Sequence, residues 1–82
     1  MKTRTFWNSK SQAQVTNPQI DAFLTEIFEV FRKHGLSIAH EEGHGSFLIQ
    51  PDCEMNRNWL ANATDETDID VSAFPDHPFG NI

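Results

Sequence analysis

The side chains best equipped for chemistry stand together at His40-Glu41-Glu42-Gly43-His44-Gly45, where two histidines four residues apart enclose two carboxylates. Imidazole and carboxylate are zinc ligands and the usual partners in general acid–base catalysis. The run differs in kind from H-E-x-x-H, which works because a helix brings both histidines to one face. Here glycines interrupt the sequence and it reads as a turn. The strand register around that turn sends His40 to the apolar face and His44 to the opposite one. One chain cannot clamp an ion with both, so no metal and no other cofactor is expected; only two subunits together would bring such ligands close.

The remaining chemical candidates stand apart from one another. The single cysteine, Cys53, rules out an internal disulfide and an all-cysteine metal site. It lies near the start of a predicted helix, where the dipole lowers a thiol pKa. Nothing brings a histidine to it, and a half-buried structural cysteine is the commoner case. Carboxylate pairs fall in a turn and a polar tail, not in a cleft. No glycine-rich phosphate loop exists. The chain is therefore expected not to be an enzyme.

Binding candidates are His40, Glu41, His44, Arg57 and Trp59. In the expected register His40 ends an apolar sheet face opposite Gly45. It is ordinarily read as a core-edge histidine bonded to a backbone carbonyl. The functional reading makes it a pocket floor, with Gly45 leaving room for a ligand and Trp59 offering a stacking face.

Positioning these groups requires four elements. Asn17 and Pro18 suit the N-cap and first position of a helix over 18–34, and Gly35 suits its left-handed exit. Its apolar residues Ile20, Phe23, Leu24, Ile27, Phe28, Val30 and Phe31 span an arc of about 160°, wider than the roughly 100° stripe one packing face needs. That width points either to two packing surfaces or to one generous core. Residues 36–41 and 44–50 predict a hairpin around Glu42-Gly43. Leu36, Ile38, Phe47 and Ile49 share its apolar face in either a two-residue or a four-residue loop. A shorter helix follows from 51–52 to about 63, with Asp52 as candidate cap and Met55, Trp59, Leu60 and Ala63 on its packing face. Asn56, Asn58 and Asn62 weaken its propensity. Residues 3–8 suit a short strand, and 9–16 read as a loop.

The fold expected is α+β: a long helix packed on an antiparallel hairpin, a second short helix, and an N-terminal strand. Residues 1–16 form an arm, 17–64 the core, and 65–82 an acidic tail. That tail carries Val71, Phe74 and Phe79 among prolines, and it suits docking on a neighbour.

Length and charge narrow the function. A chain of 82 residues buries only about 60% of its unfolded surface, so homo-oligomerisation is expected. The net charge of −6 divides unevenly: residues 1–40 carry five basic and three acidic side chains, residues 41–82 one basic and nine acidic. Without clustered Lys/Arg, direct nucleic-acid binding is not expected. No apolar run approaches the roughly 18 residues of a membrane span, and MKTRTFWNSK lacks the apolar stretch of a signal peptide. The expectation is a cytoplasmic protein.

The stretch LSIAHEEGHGSFLIQPDCEMNRNWLANA resembles a group of small phage and prophage proteins. Their pattern is a helix ending KHG or KYG, a Ser-containing strand into H-E-D-G-H-G-A-F, and an N-I-x-W-L helix. The matching residues are Lys33-His34-Gly35, 37–47 and Asn58-Trp59-Leu60, within roughly 20–65. Glu42 stands where the pattern has Asp, Ser46 where it has Ala, and the residue between Asn58 and Trp59 is missing. No activity is established for that group, so the resemblance implies a phage setting and no mechanism. Three functional readings follow. The first is a non-catalytic accessory protein that binds and inhibits a host protein, such as a defence component. The second is an oligomeric sponge for a small nucleotide signal, held by His40, His44, Arg57 and Trp59. A hydrolase using the turn histidines ranks last.

Overall fold

A computed structural model describes residues 3–43, 45–70 and 72. Its elements run β1 (Thr5–Asn8), β2 (Ala13–Thr16), α1 (Pro18–His34), β3 (Leu36–His40), β4 (Phe47–Pro51) and α2 (Glu54–Ala61). The architecture is mixed α+β, with two separate antiparallel hairpins and two helices.

The ends of α1 follow local chemistry. The Asn17 side chain accepts from the backbone N–H groups of Gln19 (3.0 Å) and Ile20 (3.2 Å), with Pro18 beginning the helix. Gly35 leaves it at φ 70°, a left-handed conformation that costs glycine little. Within α1, Leu24 and Phe31 are buried while Phe23 and Val30 lie exposed. The wide apolar arc therefore serves a covered face and an uncovered one. Arg4 anchors the covered side. It pairs with the Asp21 carboxylate, donates to Thr25 Oγ1 at 3.2 Å, and lies 5.4 Å from the centroid of the Phe28 ring.

The N-terminal segment holds more structure than expected. Residues 9–16 are not a loop: 13–16 form β2, which pairs with β1 in the register Phe6↔Val15 and Trp7↔Gln14. The reversal is made by Asn8, whose Oδ1 accepts from the Ser11 N–H (2.8 Å) and whose carbonyl accepts from the Gln12 N–H (2.8 Å). Side-chain capping of a turn is a weak sequence signal, and Gln12 at φ 54° is not the glycine that normally announces such a position.

The acidic segment also begins inside the fold. Asp65 is buried, its N–H donates to the Trp7 carbonyl at 2.7 Å, and it forms a parallel bridge with Asn8. Its carboxylate accepts from the Thr67 N–H (2.9 Å), Thr67 Oγ1 (2.7 Å) and Asn17 Nδ2 (3.1 Å). Val71, Phe74 and Phe79 lie outside the described residues.

The β3–β4 hairpin adopts the wider of the two registers, with Ile38↔Ile49 and His40↔Phe47. Glu41 donates its N–H to the Ser46 carbonyl, so the loop is 42–45 and not the two residues Glu42-Gly43. Gly45, at φ 70°, serves the turn and does not stand opposite His40.

The larger correction concerns the faces. Ser37 and Ala39 are buried, whereas Leu36, Phe47 and Ile49 are 47%, 71% and 59% exposed. The apolar face expected under a helix points outward, and the polar one packs beneath α2. The reason is a buried hydrogen-bond cluster. Asn56 on α2, 4% exposed, donates through Nδ2 to Ser37 Oγ (2.9 Å) and to Gln50 Oε1 (2.9 Å). Ser37 Oγ in turn donates to the Pro51 carbonyl at 2.8 Å. Among the described residues no buried side-chain polar atom lacks a partner. The packing face of α2 is thus shifted from the expected one: Asn56 is buried and Leu60 and Ala63 are half-buried, while Met55 and Trp59 are exposed. Asp52 does not cap it; Cys53 holds that position without a side-chain bond, and the Asp52 carboxylate pairs with Arg57.

Two stability predictions follow from these polar nodes. Asn56→Ala leaves Gln50 Oε1 without its donor and lowers urea-denaturation stability by about 1–3 kcal/mol. Asn58→Ala, on the exposed side of the same helix, raises it by a few tenths, about 0.5 kcal/mol, through propensity alone. Equal effects of the two would refute the node. For Asp65, hydrogen bonds from the Thr67 backbone, the Thr67 hydroxyl and Asn17 hold the carboxyl below its ordinary range. A depressed folded pKa stabilises fully above the unfolded value of about 3.9 and is lost as pH falls through the folded one. Thermal unfolding should therefore lose stability below about pH 4 in the native chain, and Asp65→Asn should flatten that acid limb while lowering the neutral-pH melting temperature.

Candidate functional site

Beside the Asn56 cluster lies a cleft of about 250 Å³ between the hairpin and α2. Its walls include His40 at the end of β3, Glu42 in the loop, Leu48 on β4, and Met55 and Trp59 one turn apart on α2. The His40 and Trp59 rings stack, with centroids 5.8 Å apart and planes inclined by 21°. Trp59 remains 45% exposed and Met55 74%. The spacing of Met55 and Trp59 by four residues puts both on one helical face, which the Asn56 node turns toward the open side of the cleft.

Of the sequence candidates, His40 and Trp59 are brought together. Arg57 is not with them. It pairs with Asp52 at 2.6 Å and lines a different cavity, of about 480 Å³, with Phe28 and Arg32. Two residues from Trp59 on a helix, it projects to roughly the opposite side, about 200° away. Glu41 is half-buried, with its backbone in the loop ladder through Ser46 and Gly45. His44 lies outside the described residues. Among the described residues no group of three His, Cys, Asp or Glu side chains is placed to hold a metal ion. No helix among them is long and apolar enough to cross a membrane.

The cleft residues that the sequence does not single out as site members are Ala39, Glu42, Leu48, Gln50, Met55 and Asn56. Met55 had been assigned to the packing face of α2. A signal existed in the i,i+4 pair Asn56/Leu60, which offers a second helical face, but an asparagine on it argues against burial unless its hydrogen-bond partners are known. The cleft combines an aromatic face, an adaptable thioether and a carboxylate. That set suits a cationic side chain, which an indole face and an acid attract together.

Comparison with known proteins adds no relative: no family model, curated protein or solved structure matches this chain.

Because His40 covers part of Trp59, His40→Ala should increase acrylamide quenching of Trp59 fluorescence in a Trp7→Phe background while leaving the far-UV spectrum unchanged. Unaltered quenching would mean that the stack does not shield the indole in solution.

Proposed function

We propose that this chain is a small non-catalytic binding protein that engages and inhibits a host protein through the His40–Trp59 cleft. The observation that carries this reading is the cleft itself, an exposed aromatic and methionine surface with Glu42 among its walls. The partner surface it suits is basic, with a lysine or arginine side chain entering beside Trp59. Tryptophan and arginine are frequent interface hot spots, and the excess of acid over residues 41–82 favours approach of a positive surface. The phage or mobile-element setting, a defence component as target, and action in the host cytosol rest on the resemblance of the HEEGHGSF stretch and are part of the same proposal.

The nucleotide-sponge alternative has less support. Trp59 and His40 could stack on a base, but Arg57, the basic residue of 41–82, faces another cavity and is paired with Asp52.

Affinity capture from a host lysate with Trp59→Ala as the matched control tests the reading. The native chain should retain a stoichiometric protein, and Trp59→Ala or Glu42→Gln should weaken that complex at least about tenfold, or 1.4 kcal/mol. Retention of the same partner by all three chains would remove the cleft from the mechanism. A cyclic nucleotide or ADP-ribose derivative that raises the melting temperature of the native chain but not of Trp59→Ala would favour the sponge instead.

A further inference from the structure

The outward face of the β3–β4 hairpin is an exposed apolar surface on the described residues. Leu36, Phe47 and Ile49 lie exposed on it, and Val30 of α1, 53% exposed, stands beside it. Among the described residues β4 meets α2 through its inner face, where Gln50 accepts from Asn56, while Phe47 and Ile49 on its outer face stay exposed. Between α1 and this face runs an apolar groove of about 190 Å³, lined by Val30, Phe31, Leu36, Ile38 and Ile49, with His34 and Ser37 the polar residues on its walls. An apolar cavity of about 150 Å³ already admits a benzene-sized ring. Phe47, 71% exposed, carries such a ring on the same face but at the other end of the hairpin, next to the 42–45 loop.

We infer that this face is a homodimer interface in which Phe47 of each copy enters the α1–hairpin groove of the other. The occupant is a second copy because knob and socket lie on one surface at opposite ends. An isologous two-fold contact requires that arrangement, with each patch self-complementary. Placing two hairpins face to face and antiparallel brings each Phe47 over the partner's groove.

Charge favours the same orientation. Lys33 and His34 end α1 at the groove end of the face, His34 on the groove wall, and the acidic pair Glu41-Glu42 stands at the loop end, with Glu42 also among the cleft walls. The antiparallel arrangement sets the basic end of one copy toward the acidic end of the other, whereas a parallel one would set like against like. Such patterning fixes orientation more than affinity.

Taking about 150–250 Å² for each large side chain, the exposures of Val30, Leu36, Phe47 and Ile49 leave roughly 350–550 Å² per copy. That is at the upper end for the largest patch of a monomer. From two copies these four side chains supply roughly 700–1,100 Å² of the roughly 1,200 Å² at which specific interfaces begin, and flanking side chains would supply the rest. The fold supplies the motive: among the described residues the buried hydrophobic side chains are Phe6, Leu24, Phe31 and Ala39.

Sedimentation velocity over about 5–100 µM tests the interface, since a self-associating chain responds to concentration. The native chain should sediment as a dimer, and Phe47→Asp and Ile49→Lys should each weaken dimerisation at least about tenfold with an unchanged far-UV spectrum. In a Cys53→Ser background, chains carrying Phe47→Cys mixed with chains carrying Val30→Cys should give a heterodimer with a short bis-maleimide. A native chain that stays monomeric overturns the proposal, whether its face is then covered by another protein or by none. A dimer that survives both charge substitutions, or that fails to cross-link between these positions, overturns it equally. Binding at the Trp59 cleft is read separately with Ile49→Lys, since Ile49 does not line the cleft whereas Phe47 is the strand partner of His40.

Discussion

A buried amide must have hydrogen-bond partners, and in this protein that requirement decides how the pieces meet. Asn56 is almost wholly removed from solvent and spends its Nδ2 hydrogens on Ser37 and Gln50, which face each other across the hairpin. Stranding such a group would cost about 1–3 kcal/mol, comparable with burying one further aliphatic side chain. The polar face of the hairpin is therefore held beneath α2. Because strand side chains alternate with a period of two, the apolar residues Leu36, Phe47 and Ile49 are placed outside by the same act.

A second polar clamp does similar work at the other hairpin. Asn17 caps α1 with its carbonyl oxygen and uses its amide nitrogen to hold Asp65 and Thr67. Asp65 also takes its backbone partner from Trp7 and receives Asn8 Nδ2 on its carbonyl. The beginning of the chain, the start of the long helix and the acidic segment are thus joined at one point. Two-stranded sheets are marginal by themselves. Here each is stabilised by directional bonds to a neighbouring element as much as by apolar burial, and this leaves hydrophobic side chains available for partners.

The two surfaces discussed above are consequences of that economy. The α2 side of the hairpin presents a stacked His40–Trp59 pair with Glu42, while the opposite side presents the aliphatic face and its groove. Alternation puts Ala39, Leu48 and Gln50 on the cleft side and Leu36, Ile38, Phe47 and Ile49 on the other, and the two surfaces meet at the loop end, where His40 of the cleft is the strand partner of Phe47. Self-association on the apolar side would leave the cleft open in each copy and make the protein bivalent toward a partner.

The sequence by itself determined what depends on near neighbours. The limits of α1 follow from Asn17, Pro18 and Gly35; the hairpin and its shared faces follow from alternation; the width of the apolar arc of α1 left two surfaces and one generous core equally open. Turn chemistry was legible only in part, because Asn8 and Gln12 build the first hairpin without the glycine that usually marks one. Tertiary structure alone decided which face of β3–β4 is covered, how α2 is rotated, that Trp59 meets His40 while Arg57 does not, and that Asp65 is buried. Hydrophobic patterning ranks faces by apolar content, and it cannot register that Asn56, Ser37 and Gln50 satisfy one another once they are close. Those bonds join positions up to 19 residues apart, and their energy exists only after the chain has brought them together.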